Sequence, residues 1–442
     1  MPFSLHAQDS LVFKNISDNI LLHGNCYSNL RVLCKTIGNR ISGSYQASMA
    51  VEWGQKAMQE AGADKVWLQA VDVPHWVRGY ERLGLRYGSG KYKNVKMLSL
   101  GNSVGTDGKI LEAKVIMVND FDELNMLPDT AVKGKIVFFN YRFRQDFINT
   151  FNGYGDAVRY RGNGPVEASK KGAVGVIIRS VSTGEDDVPH TGFTRYIDSV
   201  KAIPAVAVGN YTADTLAANC KKGAVYAQIE SKCKLMPEMV RSYNVIGEIK
   251  GSEEPEEIIV VGGHLDSWDV GEGANDDGSG CVQSIEVIRT LKALGIKPKR
   301  TIRAVLFMNE ENGLKGGLAY ADSAKADHEK HILAIETDAG SFTPRGIGLV
   351  MGAETKEQIT HFRNLFLPYG VYDFEHEEGG ADISPLEKQK VPMAGLRPDS
   401  QRYFDLHHTN SDVFENVDHR ELKLGAVALT QLTYLVSEYG LK

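Results

Sequence analysis

From residue 244 onward, apolar runs alternate with a helical pattern, and each run stops on residues able to hold a cation. Asn244–Ile249 and Glu257–Val261 read as strands. Gly280–Leu294 reads as a helix, with Val282, Ile285, Ile288 and Leu291 along one side and Gly295 closing it. Thr301–Met308 is a third strand and Ile332–Ile335 a fourth. Strand, helix, strand in that order requires crossover connections. It predicts an open α/β sheet whose ligands sit beyond the carboxyl ends of the strands.

Those ends carry the chemistry. EEIIVV runs into Gly262, Gly263, His264, Leu265 and Asp266; TIRAVLFM runs into Asn309, Glu310 and Glu311; HILAI runs into Glu336, Thr337 and Asp338. The loop GANDDGSG, with Asp276 and Asp277, follows the first strand and opens the helix. Each feature alone has an ordinary explanation: a solvated Glu pair, an Asp capping a turn, a hydrogen-bonded His. Gathered at one sheet edge, the carboxylates would repel one another and resist ionisation without a compensating cation. Imidazole and carboxylate without thiolate suit zinc, with manganese or cobalt as competitors, whereas calcium prefers oxygen alone. The run after Asp269 (Val270, Gly271, Glu272, Gly273) lacks the alternating oxygen donors of an EF-hand. GSGK at Gly88–Lys91 is no phosphate loop, because Leu85 stands where its first glycine should be. A second metal would need another imidazole, and YFDLHHTNSD offers His407 and His408.

Upstream, Ser44 is a natural N-cap. Ala50, Trp53, Gly54, Ala57, Met58 and Ala61 follow at helical spacing, and Gly62 is the stop. Val66–Val73 reads as extended. Between about Ala113 and Glu230 short apolar runs (Ala113–Val118, Lys135–Phe139, Val174–Ile178, Ile203–Val208) alternate with Gly-rich turns and short helical pieces. Apart from the turn DDVPHTG at Asp186–Gly192, no His and carboxylate gather at their ends. That region reads as a β-rich insertion over 111–232, structural or substrate-gating, between the two parts of a larger domain at 1–110 and 233–442.

At 442 residues the chain is long for one core, and 42% apolar with 24% charged residues is an ordinary globular composition. A formal charge of −6 argues against nucleic acid as a partner, and no apolar window approaches a membrane span. Five cysteines, none in CxxC spacing, exclude a thiolate zinc site. Cys26 with Cys34, or Cys220 with Cys233, would bridge in an oxidising compartment; five buried thiols is the alternative. MPFSLHAQDS resembles the cleavage-proximal end of a secretory signal, which implies an exported, periplasmic or extracellular protein.

GGHLDSW, GANDDGSG, MNEENGLKGG, ETDAG and HHTNSD together resemble, in order and spacing, the signature segments of the dizinc aminopeptidase and carboxypeptidase family. GNRISGS at Gly38–Ser44 and VPHWVRG at Val73–Gly79 narrow the likeness to one carboxypeptidase branch and its bacterial relatives. KGAVGVII at Lys171–Ile178 and IPAVAV at Ile203–Val208 are similar to a protease-associated domain. The resemblance implies a phosphorylase/hydrolase-like open mixed sheet flanked by helices, interrupted by that β-rich domain. It implies that His264, Asp276 and Asp338 bind one zinc, that Asp276 bridges to a second, and that Glu311 and His408 complete the second. Glu310 would be the general base for a zinc-activated water, and the Asp266 carboxylate would orient His264. His407 stands where many relatives carry Tyr, so oxyanion assistance would come from an imidazole instead. Asp382 and Ser384 lie where relatives place substrate-contacting loops, with Asp382 suited to a free amine; a turn capped by Asp and Ser explains them equally well.

The activity implied is hydrolysis of terminal peptide bonds in short peptides, dipeptides above all, by a chain able to form a homodimer. An aminopeptidase is the alternative within the family. A single-zinc glutaminyl cyclase is disfavoured by the Glu310–Glu311 pair and the insertion, and a metal-free receptor-like protein by the complete ligand set.

Overall fold

The computed structural model describes residues 7–441. Within MPFSLHAQDS, Met1–His6 lies outside the described residues, and Ala7 opens a helix that runs to His23. The chain divides into two compact units. One comprises the segments up to Val73, Val240–Ser400 and from Asp412 on; the other comprises Pro74–Met239 with Gln401–Ser411.

The first unit is built on seven strands in the order Lys65–Val73, Val240–Ile249, Arg300–Phe307, Glu254–His264, Lys330–Glu336, Met393–Pro398, Pro344–Val350. Four are mutually parallel, from Arg300–Phe307 to Met393–Pro398, and the outer pairs are antiparallel. The parallel strands are covered on both faces, and so they read as unbroken apolar runs: Ile258–Val261 and Thr301–Phe307 are buried throughout. The helix Ser279–Ala293 packs on the central strand and against the C-terminal helix His419–Tyr439. Ile259, Ile285, Ile288 and Leu429 meet in that core. Each such side chain contributes about 1.5–3 kcal/mol by burial, and Ile259→Ala would cost about 2–5 kcal/mol. The helix expected after Ser44 runs over Tyr45–Glu60, where the Ser44 hydroxyl accepts from Ala47 N at 3.1 Å.

The second unit carries an eight-stranded sheet, ordered Lys93–Val95, Glu81–Tyr87, Val225–Ser231, Leu111–Val118, Ile136–Phe139, Gly175–Arg179, Ala205–Val208, Leu98–Ser99. Three of these strands, Glu81–Tyr87, Lys93–Val95 and Leu98–Ser99, lie upstream of the 111–232 segment. Side-chain alternation splits Ile136–Phe139 between two cores. Ile136 and Phe138 join Leu216 of the helix Asn210–Lys222, while Val137 and Phe139 join Tyr160 of the helix Thr150–Lys170. The latter helix is 21 residues long where the sequence suggested only short helical pieces. Its Gly153, Gly155, Gly162, Gly164 and Pro165 carry low helix propensity, and packing of Ala168 and Tyr160 against the sheet overrides them.

All five cysteines are free thiols, so neither Cys26–Cys34 nor Cys220–Cys233 is bridged. Among the described residues no helix is long and apolar enough to cross a membrane.

Candidate metal centre

Register brings the strand ends together. His264 pairs with Phe307 on one side of its strand, and Gly262 with Glu336 on the other. His264, the Asn309–Glu311 turn and Asp338 therefore leave the sheet at one edge.

His264 Nδ1 lies 2.9 Å from the main-chain oxygen of Asp266. A carbonyl only accepts, so Nδ1 carries the proton and Nε2 is left to coordinate. Nε2 stands 3.1 Å from Asp276 Oδ1 and 3.5 Å from Asp338 Oδ1. Donor atoms of the three residues all lie within 4.8 Å of one another. A lone pair facing two carboxylates is repelled, so either a proton or a cation must stand between them. The sequence expected the Asp266 carboxylate to orient His264. The structure gives that contact to the Asp266 main chain, while its Oδ1 accepts from Asn309 N (2.6 Å) and Glu310 N (3.0 Å) and holds the turn beneath Glu310.

The charge balance favours the cation. Burial pushes Glu310 and Asp277 well above the usual carboxylate range. Asp338 pushes both further, and His264 is the chief positive group acting against it. Burial raises Asp266 as well. For His264 burial works downward, but Asp338, Asp276 and Glu310 outweigh it and hold the imidazole pKa well above its ordinary value. A divalent metal replaces those protons and lets the carboxylates ionise, and the buried donor set of one imidazole and two carboxylates fits it. Glu310 keeps partial exposure.

Asp276 sits in the turn Ala274–Gly278, with a cis peptide to Asp277. Two residues that sequence reasoning did not assign fix that turn. Asp277 Oδ2 accepts from His264 N (3.0 Å) and Oδ1 from Gly280 N (2.9 Å), stitching turn to strand. A Cβ on Gly263 would fall 2.2 Å from Asp277 Oδ2, so only glycine allows this approach. Asp412 accepts from Asn275 N (2.8 Å) and Asp276 N (3.1 Å) and so aims the Asp276 side chain. Burial lifts its pKa to about 6. Arg40, fully buried, donates to the carbonyls of Leu265 (2.6 Å), Glu272 (2.7 Å) and Gly273 (2.9 Å), and clamps the connecting loop. Ser42 accepts from Asn309 Nδ2 (2.7 Å) and donates to Asn312 (2.9 Å). GNRISGS thus braces the centre, and an Arg among Gly and Ser residues ahead of a capped helix was the one available signal.

Glu311 Oε1 accepts from Trp268 N at 3.2 Å. Asp382 is buried in the same unit, and neither of its carboxyl oxygens has a hydrogen-bond partner. Burial, then Glu336 and Glu310, hold it well above the carboxylate range. Ser384 is exposed, and its hydroxyl donates to Ala381 O at 2.8 Å, which is the turn arrangement.

His407 and His408 belong to the second unit. Their rings stack with centroids 3.4 Å apart, and His407 also meets Tyr154, Tyr403 and Phe404. His408 has φ +63°, a left-handed backbone that costs a non-glycine residue on the order of 1–3 kcal/mol. Such a conformation persists only where neighbours hold it. Beside them, burial holds His190 down to about 3, hence neutral.

A parallel-strand edge that gathers an imidazole and acidic groups around one cation position, with a further Glu alongside, defines a metal-dependent hydrolase. The comparisons make the class specific. The model of peptidase family M28 matches residues 244–433. Carboxypeptidase Q of Xenopus laevis is 36% identical over 96% of this chain and 90% of its own length. Human carboxypeptidase Q is 34% identical over 95% and 88%. The crystal structure of a peptidase M28 precursor from Shewanella amazonensis superposes with a TM-score of 0.91 at 33% identity, over 97% of each chain. A zinc aminopeptidase from Bacillus subtilis shares the fold, with a TM-score of 0.67 at 22% identity over 93% of this chain and 94% of its own. The chain belongs to peptidase family M28 and is a metallo-exopeptidase.

Proposed function

We propose that this protein is a zinc exopeptidase that cleaves short peptides, dipeptides above all. The observation that carries the reading is the approach of His264, Asp276 and Asp338 to one cation position beside Glu310. The near full-length likeness to carboxypeptidase Q supports the substrate class. His264, Asp276 and Asp338 hold one zinc. Asp276 would also serve a second, for which the family likeness assigns Glu311 and His408. Cobalt or manganese are the substitutes. Bound zinc supplies Lewis acidity that makes water a nucleophile near neutral pH.

The remaining work falls to this chain's own residues. Glu310 takes the proton from the attacking water at its carboxylate and returns it to the leaving amine, a role typically worth about 10²–10⁴ in rate. The main chain of Asp266 fixes the His264 tautomer, and its carboxylate fixes the Glu310 backbone. His407 assists at the carbonyl oxygen, and Asp382 accepts a substrate ammonium, which would relieve its uncompensated burial. An aminopeptidase is the alternative, since an acid at Asp382 demands only a free amine.

The 111–232 segment is in this reading a protease-associated-type insertion, the protein is exported, and two copies can pair. A panel of dipeptides, N-blocked and C-blocked peptides, assayed after zinc loading, tests the specificity. Cleavage of free dipeptides with loss of activity on N-blocked ones is expected. Unimpaired turnover of C-blocked peptides would make it an aminopeptidase, and no turnover of any would end the reading. His408→Ala should lower bound zinc more than His407→Ala; the reverse would exchange their roles.

A further inference from the structure

The segment Gln401–Ser411 is built into the second unit, and it rests on the turn DDVPHTG and on Ser182 and Thr183 just before it. Ser182 Oγ donates to Phe404 O at 2.9 Å, and Thr183 Oγ1 to Asp405 Oδ1 at 2.6 Å. His190 Nδ1 donates to His407 O at 2.7 Å, and Thr191 N to His408 O at 3.0 Å. These bonds run along the segment up to His408, its one left-handed residue.

The His408 ring is met from the same turn and from the helix Thr150–Lys170. Its Nδ1 lies 3.3 Å from Thr191 O and 3.3 Å from Arg161 Nη1. The carbonyl accepts only and the guanidinium donates only, so the two contacts correspond to the two neutral tautomers of the imidazole. A cation on Nε2 demands the proton at Nδ1, which selects the Thr191 carbonyl as partner. The approach is too close for any side chain at Gly192. A Cβ there would lie 2.4 Å from Arg161 Cζ and 2.6 Å from His408 Nδ1, and φ is +128°.

We propose that the His190–Thr191–Gly192 turn is the positioning element for the His408 imidazole. The inference rests on the reading of His408 as a metal ligand. Outer partners of this kind are worth about 10–100-fold in metal affinity.

The test uses the full chain, stripped with chelator and titrated with zinc against a competing dye. The variants are His408→Ala, His190→Ala, His190→Asn and Gly192→Ala, each with the unfolding midpoint of the metal-free protein measured in parallel. His190→Ala should weaken the His408-dependent ion by about 10–100-fold with the other ion unchanged and the metal-free protein still folded at the assay temperature. His190→Asn, whose amide can donate in place of Nδ1, should restore it. Gly192→Ala should act like His190→Ala; should it fail to fold, the Ala and Asn pair at His190 decides alone. If His408→Ala loses an ion that His190→Ala and the folded Gly192→Ala hold as tightly as wild type, the positioning role is wrong and the ligand reading stands. If His408→Ala itself binds every ion normally, the ligand reading falls and takes this inference with it.

Discussion

Each unit has four adjacent parallel strands, and their carboxyl edges are furnished in opposite ways. In the first unit the edge gathers His264, Asp266, Asp276, Asp277, Glu310 and Asp338, with burial raising Asp266, Asp277 and Glu310 and like charge raising the last two further. In the second, the ends of Ile136–Phe139 and Gly175–Arg179 are closed by Arg179, which donates to Asn140 (3.0 and 2.6 Å) and Asp214 (2.6 Å). The same sheet geometry is present in both. What separates a site from a sealed edge is whether charge is left uncompensated: one edge needs a cation from outside, the other carries its own.

The sharpest way to break that contrast is Glu310→Gln. Turnover should fall by about 10²–10⁴ while bound zinc, measured by elemental analysis, is retained; full activity would remove Glu310 as the base. Next in size is Asp412→Ala, which leaves the N–H groups of Asn275 and Asp276 without their acceptor. Zinc affinity should drop by about 10–100-fold, read by chelator competition.

The units should also respond to pH with opposite signs in chelator-treated protein. Burial lifts Asp412 to about 6 and Glu336 to about 7, above the carboxylates of an unfolded chain. Below about pH 4 both states are protonated and the folded state loses nothing. As pH rises through 6 to 7 the folded state must ionise buried acids, and stability of the first unit is lost. His190 in the second unit is depressed to about 3, so there the unfolded chain takes up protons first and stability is lost as pH falls below about 6.5. Hydrogen exchange resolved by unit, at pH 5 and pH 8, checks this; parallel trends in both would remove the distinction, and added zinc should flatten the first. The smallest effect is expected from Arg179→Met, which should destabilise the second unit by roughly 1–3 kcal/mol in urea melts without changing metal binding at His264.

Much of the first unit was legible because strands buried on both faces leave unbroken apolar runs, and because those runs stop on His264, Glu310 and Asp338. Ser44 announced its helix by the local capping bond that forms. The supports were not legible. Asp412 grips a turn 136 positions away, and no spacing rule links it to Asp276. Asp266 was visible but misread in detail, since a carboxylate and a main-chain oxygen of one residue are indistinguishable in a sequence. The helix Thr150–Lys170 was hidden by its own glycines and proline, whose local cost only tertiary packing reverses. DDVPHTG stood out in its region, but its partner segment lies more than two hundred positions later, at His407.

That last separation has a consequence for biogenesis. The second unit is closed by Gln401–Ser411, so a chain emerging from the ribosome can collapse Pro74–Met239 early yet lacks the segment that carries His408 until nearly the whole polypeptide has been made. A nascent chain stalled before residue 401 should therefore be a partly folded protein without hydrolytic competence, its activity withheld until translation is almost complete.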